Sequence, residues 1–273
     1  MTTATEGREL AAGGRRLGVW PWVALVVVYL VIIHVLTRSL TSGMDVKYAA
    51  PTSVEEVVRG YLVPIGVSAL FAAGVVTYLR WWRPAIVDHQ PVQRWVIVVP
   101  VLMVLAIVAM TNYPGLARKG LLFTVLLLVS TLFVGFAEEM MFRGIGLTMF
   151  RSNNFTEGQA ALWSTVAFGV AHATNLFIEG PKAFLQVLTT IVAGYFLYLI
   201  RRRAGTLLAA MLVHGLWDFA LISNSVGGSP RAVGLLGLLT MLVLVIVLVV
   251  RRHEIEPATD HPDLRHAADD RPL

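Results

Sequence analysis

Eight stretches of this chain are apolar and near the length that crosses a bilayer, which restricts the fold before any motif is read. About 30 Å of hydrocarbon calls for roughly 20 mostly apolar residues in a helix. The stretches run near residues 19–36, 60–79, 92–110, 121–150, 159–178, 184–200, 205–222 and 232–250. Composition agrees, with 56% hydrophobic and only 14% charged residues, where soluble domains carry about a quarter charged. The expectation is an all-α fold: a polytopic membrane helical bundle of about eight transmembrane helices. It divides into a cytoplasmic N-terminal segment (1–18), a membrane-embedded helical domain (19–250) and a tail (251–273). That tail mixes charges with three prolines and few large apolar residues, so it is expected to be disordered. The first apolar stretch follows Arg15 and Arg16 and lacks a small-residue cleavage pattern, so it reads as a retained anchor.

The net charge of +5 would suggest nucleic acid in a soluble protein, but here the basic residues sit in short loops beside apolar stretches. They report topology, and no nucleic-acid partner is expected. With eight spans both termini share a side, and most of the 22 Lys and Arg fall on that side, which places both ends in the cytoplasm. Arg201-Arg202-Arg203 counts among them and reads as a stop signal at the interface. Cysteine is absent, which excludes thiolate ligands and cysteine nucleophiles, so a nucleophile must be oxygen or water.

Three fragments nevertheless carry ionisable groups into the apolar stretches: Glu138-Glu139-x-x-x-Arg143, Phe168-x-x-x-His172 and His214-x-x-x-Asp218. Each such group costs several kcal/mol at the bilayer centre, so its presence is a functional-site hypothesis by default. Thr156 with Gln159 forms a candidate capping box, which fixes one helix start. At about 1.5 Å per residue, Glu138, His172 and His214 then lie roughly 18, 22 and 14 Å from the cytoplasmic ends of their helices. The stretch 121–150 is longer than a bilayer needs and must tilt, break or protrude. Glu139 and Arg143 are four apart with the acid first, the favourable order for a structural ion pair. Glu138 points about 100° away and is left for chemistry, provided it faces a wet cavity. Phe168 can pack under His172, and Asp218 can accept from His214. His34 reads as a packing residue, His89 as a loop residue, and His253, His261 and His266 as residues of the tail.

In this order on successive helices, the fragments resemble the CPBP family of intramembrane endopeptidases, the CAAX protease and bacteriocin-processing proteins, which include Abi-type bacterial membrane proteins. The likeness covers about Glu138 to Asp218, within helices spanning 121–222, a little over a third of the chain. It implies a peptide or lipidated protein substrate, a lipid bilayer as partner and a bacterial cell membrane as location. It also implies catalytic roles: Glu138 activating water, His172 assisting, and His214 with Asp218 near the developing oxyanion. Many relatives carry asparagine where this chain has Asp218; an ionised carboxylate cannot donate as an amide does, so Asp218 is left to orient His214. Two mechanisms stay open. One is metal-free general-base hydrolysis by Glu138; the other is Zn²⁺ held by Glu138, His172 and His214 with an open position for water. A serine protease is disfavoured because Ser130 and Ser164 lack a nucleophile context, and a paired-aspartate protease because Asp218 is the sole Asp within a proposed span. A noncatalytic scaffold or bacteriocin-immunity role is the alternative from a different class.

Overall fold

A computed structural model describes residues 13–226 and 234–256, and among them regular structure is helical. The main elements are α1 (Val19–Leu40), α2 (Val54–Leu79), α3 (Arg94–Met110), α4 (Leu121–Ser152), α5 (Glu157–Ala171), α6 (Lys182–Ala204), α7 (Leu207–Ser225) and α8 (Gly234–Val250). Helices cover most of each expected stretch among the described residues, but the count of eight spans is not confirmed. Among the described residues five helices, α1, α2, α4, α6 and α7, are long and apolar enough to cross a membrane. A sixth is reached if α3 and the short helix Tyr113–Lys119, bent by 54°, form one span. The fifth stretch fails on length, because α5 has 15 residues, about 22 Å of helix, and the apolar run continues past its end.

Local chemistry accounts for the helix ends. The capping box at α5 is present, with Thr156 accepting from the Gln159 amide and Gln159 reaching back to the Thr156 amide. α2 starts before residue 60 because Ser53 caps it and Glu55 and Glu56 complement the positive end of its first turn. Gly205, at φ +70°, closes α6, and Thr206 caps α7. Along α1 only Trp22 and Tyr29 are buried, while Val23, Val27, Val31 and Val35 stay exposed, the pattern of a helix that faces lipid on most sides.

α4 is the centre of the bundle, packed against α7 and α2; α5 packs on α6, and α3 joins α7 to α8. The long fourth stretch neither breaks nor bends sharply. It absorbs a π-helical segment, Met140–Gly146, whose residues are all buried. Part of the expected disordered tail is also corrected: Ile255 is buried, its carbonyl accepts from the Gln93 amide, and Glu256 pairs with Arg202. Residues 257–273, with His261 and His266, lie outside the described residues, as do residues 1–12.

Candidate active site

Two glycines let the site form. A Cβ on Gly135 of α4 would run into the Met211 carbonyl of α7, and one on Gly215 of α7 would stand 2.8 Å from the Thr131 carbonyl of α4. Without those carbons the two backbones touch, the small-residue packing typical of membrane helices. Glu138 and Glu139 follow Gly135 by about one turn, and His214 and Asp218 flank Gly215, so this contact brings acids and imidazole together. The π segment follows directly, and its backbone is held from outside. The Trp22 indole donates to the Met141 carbonyl at 3.2 Å, and the Arg201 guanidinium donates to the Arg143 carbonyl.

Glu139 is the anchor. Its Oε1 accepts from Arg143 at 2.8 Å, with both side chains fully buried, and from His214 Nδ1 at 3.0 Å. The Arg143 guanidinium lies 3.9 Å from the centre of the Phe168 ring, an arrangement that partly replaces lost hydration. Gly194 of α6 makes room for that pair. Phe168 is in turn edge-on to His172 and His214, with ring centroids 5.0 and 5.7 Å away. One aromatic ring thus sets the orientation of both imidazoles.

His172 lies where α5 gives way to a 3-10 turn, and its Nδ1 is 2.9 Å from the Phe168 carbonyl. A carbonyl only accepts, so Nδ1 carries hydrogen and Nε2 is the ring nitrogen turned outward. His214 spends its Nδ1 hydrogen on Glu139, so it too presents Nε2. Both Nε2 atoms face Glu138 Oε2, at 4.0 Å from His172 and 3.7 Å from His214, and Asp218 Oδ2 stands 3.6 Å from His214 Nε2. Glu138 Oε2 is itself buried without a hydrogen-bond partner. Separations just beyond direct bonding around an orphaned oxygen are those a bridging water fills. The group is not sealed, since Glu138, His172 and Asp218 keep 14%, 18% and 26% of their side-chain surface. Asp218 makes no direct hydrogen bond to His214; the carboxylate that orients that ring is Glu139.

Zinc bonds of about 2.0–2.1 Å put tetrahedral ligand atoms roughly 3.4 Å apart. The separations of 3.7 and 4.0 Å around Glu138 are wider. Among the described residues no group of three His, Asp or Glu side chains is placed to hold a metal ion. As they stand, Glu138, His172 and His214 do not fit a preformed zinc site.

A second polar cluster escaped the sequence reading. Arg201 Nε and Arg151 Nη1 donate to Asp88 Oδ2 at 2.8 and 3.1 Å, Arg151 also holds Glu157, and Tyr198 donates to Glu157 at 2.7 Å. Burial alone would raise the Asp88 carboxyl, but the two guanidiniums outweigh it and hold it below the usual carboxylate range. Arg201 and Arg202 are therefore interior residues of a buried network, a structural role that the stop-signal reading did not include. Three adjacent arginines look alike in sequence, and the partner that distinguishes Arg201, Asp88, is distant along the chain. Tyr29 was missed as well: it is 1% exposed, and its hydroxyl has no hydrogen-bond partner. His34, in contrast, bonds Thr174 at 2.9 Å and packs as expected.

Residues 120–220, which hold all three fragments, match the family described as Type II CAAX prenyl endopeptidase Rce1-like. No curated protein and no solved structure matches the chain. The match supports a CAAX-type intramembrane protease at the level of the family, and with the apolar helices it supports an integral membrane protein acting on peptide substrate within a bilayer.

Proposed function

We propose that this chain hydrolyses a peptide bond in a membrane-associated, lipidated peptide or protein, using a water activated by Glu138. One observation carries the reading: the unpartnered Glu138 Oε2 faces the Nε2 atoms of two imidazoles from separate helices at 3.7 and 4.0 Å. A water there donates one hydrogen to Glu138 and the other to His172 Nε2, leaving a lone pair for the carbonyl carbon. Glu138 takes the first proton as the C–O bond forms. His214, protonated on Nε2, donates to the carbonyl oxygen as it becomes an oxyanion, and the Asp218 carboxylate beside it supplies the counter-charge. Collapse of the tetrahedral intermediate breaks the C–N bond, and Glu138 hands its proton to the leaving amine. Glu139, Arg143 and Phe168 hold the imidazoles in place and take no proton.

The test is mass spectrometry of membrane peptides from cells carrying the native chain or Glu138→Gln. Peptides with new termini that require Glu138 are the expected result. Identical peptide sets would overturn the proposal, and a biological effect retained by Glu138→Gln would indicate the scaffold or immunity role instead.

A further inference from the structure

The phenol of Tyr29 is buried, lacks a hydrogen-bond partner, and belongs to a helix outside the three recognised fragments. An orphaned buried hydroxyl of this kind is destabilising, and phenylalanine would fill the same apolar space without that cost. Its place along α1 is set by contacts on either side. The Asn153 side chain donates to the Leu17 carbonyl, and the Trp22 indole donates to Met141 further back along α4, so α1 runs antiparallel to α4. From the Leu17–Asn153 contact, Tyr29 lies about 18 Å along α1 and Glu138 about 22 Å back along α4. Tyr29 is also about two turns from Trp22, on the same face. Five residues further on, His34 bonds Thr174, two residues beyond His172. Tyr29 therefore sits between a contact with α4 just past Glu138 and a contact with the turn that carries His172.

We infer that the Tyr29 hydroxyl is a further catalytic group, donating a hydrogen bond to the water that Glu138 and His172 hold. It rests on the hydrolytic reading above. The two orphans, Glu138 Oε2 and the Tyr29 hydroxyl, are then satisfied by one solvent molecule. That water gives its hydrogens to Glu138 and His172, accepts from Tyr29, and keeps one lone pair directed at the substrate. Consistent with this placement, the Tyr29 phenol lies within electrostatic reach of the Glu138 carboxylate.

The experiment uses full-length protein in lipid vesicles and a quenched-fluorescent, farnesylated CAAX peptide, comparing Tyr29→Phe, Tyr29→Met, Asn153→Ala and Glu138→Gln with the native chain. Both Tyr29 variants should lose about ten- to a hundredfold in kcat, with KM within about twofold, and Tyr29→Phe should melt no lower than the native chain. Asn153→Ala, which removes the polar contact that ties the start of α1 to the end of α4 far from the site, should melt lower while its folded fraction keeps kcat. Native kcat in Tyr29→Phe overturns the inference alone, as does a parallel kcat loss in Asn153→Ala. Absence of cleavage by the native chain, or cleavage by Glu138→Gln, overturns the general-base reading and this inference with it.

Discussion

Replacing Gly215 with alanine tests whether the contact between α4 and α7 sets the catalytic geometry. The new Cβ would stand 2.8 Å from the Thr131 carbonyl and 2.9 Å from Leu132 Cα, both backbone atoms that cannot rotate away. A carbon tolerates a carbonyl oxygen at about 3.3 Å or more, so α7 must withdraw by about 0.5 Å. His214 is the preceding residue and moves with it, stretching its 3.0 Å bond to Glu139 and its 3.7 Å separation from Glu138. Overpacking of this kind costs about 1–3 kcal/mol. A 1 Å misplacement of reacting groups costs on the order of a hundredfold in rate, so half of that predicts a loss of about tenfold. Thermal unfolding in detergent reads the first quantity and cleavage of a farnesylated CAAX peptide the second. Native stability together with native turnover in Gly215→Ala would refute the reasoning. Lower stability with unchanged turnover would show that the helices separate without disturbing the site.

Glu138→Gln should abolish cleavage while leaving the melting midpoint within a degree or two, because Glu138 has no ion pair with an arginine to lose; a variant that still cleaves would count against it as the base. Arg143→Met should destabilise by about 3–5 kcal/mol, since it leaves Glu139 charged and fully buried beside His214 alone; expression and unfolding midpoint measure this, and a native-like midpoint would mean the ion pair is not structural. For Asp88 the folded carboxyl titrates below its unfolded value, so its stabilisation is complete above about pH 4 and is lost as pH falls through the depressed folded value. Midpoints recorded from pH 6 down to pH 3 should therefore drop more steeply for the native chain than for Asp88→Asn, and parallel curves would rule out this coupling.

What could be read from the residues was local. Apolar runs located the helices, Thr156 and Gln159 located a helix start, and the four-residue steps from Glu139 to Arg143 and from His214 to Asp218 placed partners on shared faces. The step from Glu139 to His214 is not local, and it reversed an assignment: the orienting carboxylate is one helix away, whereas the neighbour four residues on the same helix makes no direct bond. The count of spans is not confirmed where hydropathy and helix length part company. The run after Gly158 stays apolar through Ile178, yet the α-helix stops at Ala171 and a 3-10 turn takes over at His172. Asp88 and Arg201 make the same point: each residue type was visible, but only the fold pairs them.

The π segment at Met140–Gly146 carries a consequence for how this helix tolerates change. A wide turn holds one residue more than an α-helical turn, so the portions before and after it are out of phase by about 100°. Deleting a single residue there would let the turn close to uniform α-helical winding with its far portion, Leu147–Ser152, still turned to the same neighbours, whereas the same deletion elsewhere along α4 would rotate that portion by about 100°. Single-residue deletions should thus be better tolerated within Met140–Gly146 than before it, and a homologue lacking the extra residue would keep its grip on Arg151.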